Sequence, residues 1–169
     1  MSLRATNVDR MDGALFDVLV VGAGVNGAVS AAALAGRGAS VALIDRGDFG
    51  HFTSQESSNL VWGGFKYLEH YELPLVFGLC RSRNRLMKAY PDNIKEIGFL
   101  AALDRSAPYP PWFAALGATA YWAIGLFGTK RPKLFSAEEI EREEPVIDTS
   151  NVRGGIEYRD AYLIDNDSR

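Results

Sequence analysis

Residues 17–45 read DVLVVGAGVNGAVSAAALAGRGASVALID, and the order of residue types in this stretch decides the fold. Asp17 to Val21 is a short β-branched apolar run, the composition of a strand buried in a parallel sheet. Gly22, Gly24 and Gly27 follow it at once. In a strand–turn–helix context the first glycine permits the tight turn, the second lets the main chain approach a pyrophosphate, and the third lets the helix pack close to the strand. A helix beginning near Val25 is alanine-rich and points its unpaired N–H groups and positive dipole end at the same spot, which suits an anion. Gly36 and Gly38 stand where a C-terminal glycine stop belongs. A second strand, Ser40 to Ile44, then delivers Asp45 about twenty residues beyond the glycine turn, where a carboxylate accepts hydrogen bonds from ribose hydroxyls and repels a 2′-phosphate. The expectation is a dinucleotide site on a βαβ unit. A βαβ unit without ligand would leave the three glycines and Asp45 unexplained.

Working outward, the 169 residues are 47% hydrophobic and 23% charged, a globular composition with enough chain for one ordinary core. A net charge of -3 without a dense basic stripe argues against a nucleic-acid partner. The two histidines, His51 and His70, and the single cysteine, Cys80, make a protein-built metal site and an internal disulfide unexpected. The absence of an N-terminal apolar secretory segment points, with the cysteine usage, to a cytoplasmic location. Residues 1–14 are mostly polar and are expected to form a flexible tail.

After Asp45 the chain runs RGDFGHFTSQESSNLVWGGFKYLEHYE, residues 46–72. Thr53, Ser54, Ser57 and Ser58 supply hydroxyls just beyond the ribose carboxylate, and Gly63-Gly64 allows a close main-chain approach. Composition alone describes these equally well as a polar loop ending in a turn.

The chain resembles the FAD-dependent glycerol-3-phosphate dehydrogenase family, among the flavin amine and hydroxy-acid oxidoreductases. Two motifs carry the likeness: VVGAGVNGAVSAAALAGRG with ALID, and the more specific TSQESSNLVWGGFKYLEHYE. A weaker likeness continues through GGIEYRDAYLIDNDSR. The resemblance implies FAD as cofactor, with Gly22, Gly24, Val25, Asn26, Gly27, Asp45, Arg46, Thr53, Ser54, Ser57, Ser58, Gly63 and Gly64 as its candidate contacts. It implies Lys66 and Tyr67 near the substrate. It also implies a small-molecule substrate such as glycerol 3-phosphate, oxidised to the ketone by hydride transfer to flavin N5, a quinone electron acceptor, and peripheral contact with the inner face of a membrane. Three positions depart from the family pattern: Trp62 replaces a histidine before the glycine pair, Lys66 an arginine before the tyrosine, and Asn59 a basic residue. A lysine supplies charge to a phosphate but not the planar two-pronged fork of arginine. A flavin oxidase acting on an amine or hydroxy acid, an NAD-dependent dehydrogenase and a non-catalytic dinucleotide-binding fragment are the alternatives.

Further along, Pro74 to Tyr90 is expected to be a helix with Arg81, Arg85 and Lys88 on a solvated face, ended by Pro91. Ile97 to Leu103 is expected as a strand. Trp112 to Phe127 carries no charge but falls short of the eighteen or so apolar residues of a spanning helix. A buried helix is expected there; the rival is a helix at a bilayer surface, which the flanking aromatics and Lys130, Arg131 and Lys133 would suit. Ser136 and Glu139 form a capping box. Gly154 to Tyr158 and Ala161 to Ile164 read as two strands, and Asp165 to Ser168 as a helix start. The overall expectation is an α/β chain: a Rossmann-like FAD-binding domain, a parallel sheet with helices, over 15–95, then over 96–169 the start of a substrate or cap domain and a return to the FAD domain. By the resemblance the catalytic residues lie beyond Arg169, so the chain is expected to be an incomplete N-terminal portion, inactive alone.

Overall fold

The structure, a computed structural model, describes residues 3–164. It divides into two compact units between Ser58 and Asn59, so the expected 15–95 segment is shared between them.

In the first unit, α1 (Leu3–Met11) precedes β1 (Val18–Val21), α2 (Val25–Ala35) and β2 (Val41–Ile44). The expected flexible tail is thus largely helical. Leu, Arg, Ala and Met favour the helix, nothing inside it breaks it, and it stops before Gly13, whose φ is +68°. β1 and β2 pair in parallel, Val18 opposite Val41 through Val21 opposite Ile44. Their starts are tied by Asp17, whose carboxylate accepts from the Ser40 N–H and the Ser40 hydroxyl, both at 2.8 Å. The Ser40 N–H and then its hydroxyl hold the Asp17 carboxyl below the usual carboxylate range. The Gly36 N–H closes the last turn of α2 on the Ala32 carbonyl at 2.9 Å, and Gly38 at φ +92° redirects the chain into β2.

The second unit is built on β6 (Val152–Leu163). β4 (Ile94–Asp104) lies along one edge of it, and the short strands β3 (Leu60–Val61) and β5 (Lys133–Phe135) share the other, all antiparallel. The parallel pairing expected of the βαβ region is present in β1 and β2, and the sheet of the second unit is antiparallel. The two strands expected between Gly154 and Ile164 are one continuous strand, because Arg159 and Asp160, which look like a polar break, find partners inside the unit. A 3₁₀ helix (Phe65–His70), α3 (Leu73–Ala89), α4 (Pro111–Ile124) and α5 (Ala137–Glu143) complete the unit. α3 carries Pro74 in its first turn and ends at Tyr90. Val76 and Cys80 of α3 and Tyr121 of α4 form a buried cluster with Phe65, Tyr67, Leu68, Ile124 and Tyr158 packed on it. α5 opens on the expected capping box, Ser136 Oγ accepting from the Glu139 N–H at 3.2 Å and Glu139 Oε2 from the Ser136 N–H at 2.8 Å.

α4 departs from the buried helix expected of it. Ala118 and Tyr121 are buried, but Trp112, Phe113 and Leu116 are exposed. Among the described residues no helix is long and apolar enough to cross a membrane. The expected helix start at Asp165 to Ser168 lies outside the described residues.

Candidate functional site

The glycine turn sits where the sequence places it, at the C-terminal end of β1. Gly22 has φ +103°, a conformation that strains any L side chain, and its N–H donates to the Ile44 carbonyl at 2.8 Å, joining the turn to the end of β2. A Cβ on Gly27 would collide with the Gly22 carbonyl oxygen and lie 2.9 Å from its carbon, so the third glycine is required by the approach of α2 to the turn. At Gly24, the N-cap of α2, a Cβ would meet only Ser54 Oγ, at 3.1 Å. That oxygen accepts from the Val25 N–H at 3.0 Å and marks where an acceptor stands before the first turn of α2. Helix geometry leaves the N–H groups of Val25, Asn26 and Gly27 without intrahelical partners, the arrangement that binds anions.

Asp45 reaches the same turn from β2. Its Oδ2 accepts from the Ala23 N–H at 2.7 Å and its Oδ1 from the Gly47 N–H at 2.8 Å. The Ala23 N–H, then the Gly47 N–H, hold the carboxyl below the usual carboxylate range. Ionised, the two oxygens retain lone pairs for further donors. A cavity of about 440 Å3 opens here, lined by Val21, Gly22, Ile44, Asp45, Arg46 and Phe52. It lies outside the carboxyl ends of the parallel strands, where open α/β sheets bind ligands, and its size is ordinary for a ligand pocket. The Arg46 guanidinium lies 4.2 Å over the Phe52 ring.

The hydroxyl-rich segment is folded back on this turn. The Gly50 N–H donates to the Ala23 carbonyl at 2.9 Å, Ser54 meets Val25, and the Ser57 hydroxyl donates to the Ser54 carbonyl at 3.0 Å. Thr53 and Ser58 are exposed. Phe52, which supplies the aromatic wall of the cavity, was not singled out in the sequence, where an isolated aromatic in a loop carries no signal.

Gly63, Gly64, Lys66 and Tyr67 belong to the second unit. Lys66 is exposed on the 3₁₀ helix, and the half-buried Tyr67 lies against Trp62, ring centres 5.5 Å apart. The glycine pair is crowded by this unit's own side chains. A Cβ on Gly63 would collide with the Tyr121 hydroxyl and stand 2.6 Å from Arg83 Nη1, and one on Gly64, at φ +87°, would stand 2.8 Å from Leu79 Cδ1.

Beneath Gly63 lies a buried polar cluster that the sequence reading did not name. Asp160 Oδ1 accepts from Arg83 Nη1 at 3.0 Å and Oδ2 from the Tyr121 hydroxyl at 3.0 Å, while Tyr121 in turn accepts from Arg83 Nη1 at 3.0 Å. Burial pushes the Asp160 carboxyl up against the pull of Arg83. For Arg83 burial works the other way, but Tyr121, then Asp160 and Cys80, outweigh it and push the guanidinium up. The two directions oppose each other, one favouring the neutral acid and the other the ion pair. The geometry favours the ion pair: the neighbours of the carboxylate are donors, and a protonated oxygen would face them without an acceptor. Burial, reinforced by Asp160, pushes the Tyr121 phenol up, and burial pushes the Cys80 thiol up, so both keep their protons. The available signal was spacing: Arg83 shares a face of α3 with the apolar Val76 and Cys80, seven and three positions away.

The glycine turn and the strand-end carboxylate thus face one cavity of a βαβ unit, beside the N-terminus of α2. The chain belongs to the FAD dependent oxidoreductase (DAO) family, whose model matches residues 17–169. A glycerol-3-phosphate dehydrogenase of Pseudomonas tolaasii is 35% identical over 151 residues, covering 89% of this chain and 28% of that protein. The D-erythritol 1-phosphate dehydrogenase of Brucella abortus (strain 2308) is 34% identical over 155 residues, covering 88% and 29%. The chain therefore spans less than a third of these relatives. Among solved structures, the glycerol-3-phosphate dehydrogenase of Bacillus halodurans complexed with FAD shares the fold, with a TM-score of 0.64 at 19% identity over 95% of this chain and 24% of that one.

Proposed function

We propose that this chain provides the dinucleotide end of an FAD site in an enzyme that oxidises the secondary alcohol of a small polyol phosphate, glycerol 3-phosphate being the leading candidate. The observation that carries the cofactor reading is the close approach of Gly27 to the Gly22 carbonyl, with Asp45 fixed on the same turn. These residues fit an adenine dinucleotide. The N–H groups at the start of α2 receive the pyrophosphate, Asp45 accepts from ribose hydroxyls, and the cavity beside Arg46 and Phe52 takes the nucleoside. FAD, when bound, supplies the two-electron acceptor for the alcohol oxidation. What supports the substrate class is that the P. tolaasii and B. abortus relatives are named for phosphorylated polyols. In this reading Lys66 steadies the phosphate and Tyr67 offers a phenol to the substrate. A quinone acceptor at a membrane surface belongs to the same proposal, supported by the outward aromatic and aliphatic side chains of α4 and the exposed Lys130 and Arg131 beyond it.

The test is an FAD titration of the chain, followed by dye reduction with sn-glycerol 3-phosphate, D-erythritol 1-phosphate and L-proline, on this chain and on a chain extended to the length of the relatives. Saturable FAD binding, and reduction by the polyol phosphates in the extended chain, are expected. Reduction by L-proline alone would favour the amine reading, in which Lys66 has no phosphate to hold.

A further inference from the structure

Gly63 is held by its own main chain from two sides. Its N–H donates to both oxygens of Asp160, at 2.9 and 3.1 Å, and its carbonyl accepts from Cys80 Sγ at 3.4 Å. Asp160 and Arg83, which are 0% and 2% exposed, make their ion pair directly below. The other guanidinium nitrogens of Arg83 donate to Asn84 Oδ1 at 3.2 and 3.1 Å, and the Asn84 amide donates to the Gly125 carbonyl at 2.7 Å. One network thus joins β6, α3, the C-terminus of α4 and the segment that follows β3.

Stability is a poor explanation for such a cluster, because a buried ion pair generally does no better than apolar side chains of the same volume. Position is a better one. Tyr158 and Asp160 lie two residues apart on β6 and therefore on one face of the strand. Tyr158 stacks on Phe65 with ring centres 4.2 Å apart and planes 14° from parallel, and Tyr121 meets the same ring edge-on at 5.2 Å. One strand face thus fixes both Gly63 and Phe65. Lys66 and Tyr67 are the next two residues, so their place is set by the same face.

We propose that Asp160, buttressed by Arg83 and Tyr121, is a positioning residue for the segment Gly63–Tyr67 and through it for the substrate contacts of Lys66 and Tyr67. The inference rests on the reading of Lys66 and Tyr67 as substrate groups. Asp160→Asn keeps the side-chain shape but sets an NH2 donor among donors, which releases the segment. Arg83→Met with Asp160→Leu removes the pair and refills the space, which restores packing without restoring the hold on the Gly63 N–H.

Amide hydrogen exchange and titration with sn-glycerol 3-phosphate, followed through the flavin spectrum of the FAD-loaded extended chain, test this. In Asp160→Asn, exchange at residues 63–67 should rise roughly tenfold or more while β4 and β6 keep their protection, and the titration midpoint should rise by a similar factor. The double variant should regain the thermal midpoint of the parent but neither the protection of 63–67 nor the affinity. Tyr121→Phe, which deletes the hydroxyl that donates to Asp160 and accepts from Arg83 but leaves the ion pair in place, should show the same split more weakly and serves if Asp160→Asn does not fold. Recovery of both protection and affinity in the double variant would overturn the proposal, and so would exchange that rises equally in β4, β6 and the segment. If Lys66→Met binds sn-glycerol 3-phosphate as the parent does while Asp160→Asn still frees the segment, the substrate reading falls and the positioning of the segment stands on the exchange data.

Discussion

Gly27 faces the Gly22 carbonyl so closely that a single added methyl would collide with that oxygen. Gly27→Ala should therefore push α2 away from the turn, at a cost toward the upper end of the roughly 1–3 kcal/mol typical of overpacking. FAD binding and the thermal midpoint of the first unit should fall together. Gly24→Ala meets only the Ser54 hydroxyl and should leave the midpoint nearly unchanged while weakening FAD, so the two variants separate folding from cofactor approach in one titration series.

Asp45 gives a pH dependence with a definite sign. Its carboxyl is held below its unfolded value by the N–H groups of Ala23 and then Gly47, so the stabilisation is fully present above the ordinary carboxylate range. It is lost as pH falls through the lowered value in the folded state. FAD affinity should hold steady through the ordinary carboxylate range and fall only as pH drops through that lowered value. Asp17 titrates in the same region, and Asp45→Asn separates the two: the variant should bind FAD weakly at neutral pH and show a much smaller drop on acidification.

Lys66 is exposed and stands one residue from Tyr67, so its replacement tests the phosphate contact without touching the core. Lys66→Met should raise the sn-glycerol 3-phosphate midpoint about ten- to a hundredfold, the loss of one charge-assisted hydrogen bond. Lys66→Arg should hold or tighten it. Equal midpoints for Lys66→Met and the parent would show that the lysine is only a surface charge.

Ser136→Ala removes the hydroxyl that caps α5 and should cost about 1 kcal/mol. Ile140 of the same helix is fully buried, and a Cβ on Gly155 would stand 2.9 Å from its Cδ1. Ile140→Ala should therefore cost more, roughly 2–5 kcal/mol, in a urea melt of the second unit.

The features legible in the sequence are those written in local residue order. β1, the turn, α2 and β2 follow from two apolar runs and three glycines, and the α5 cap follows from Ser136 and Glu139. What escaped reading depends on partners far along the chain. Arg159 and Asp160 interrupt an apolar pattern and suggest two strands, and only the burial of Asp160 against Arg83 makes them one. Arg83 stands among the cations of α3 with no local mark of its own, and its role appears only with Asp160 opposite it. The uncharged α4 suggests burial all round, but side chains from one unit cover only the face of Ala118 and Tyr121.

β3, β4 and β5 each pair with β6 and not with one another. Leu60 is opposite Tyr162, so about a hundred residues separate the first strand from its partner. On the ribosome the βαβ unit can close as soon as residues 17–45 are clear of the exit tunnel. Three strands of the second unit, by contrast, wait unpaired until residues 152–163 emerge. The loop-closure entropy of that delay makes this the slower-folding unit. Its waiting strand edges, the eleven-residue β4 above all, are where a chaperone would be needed.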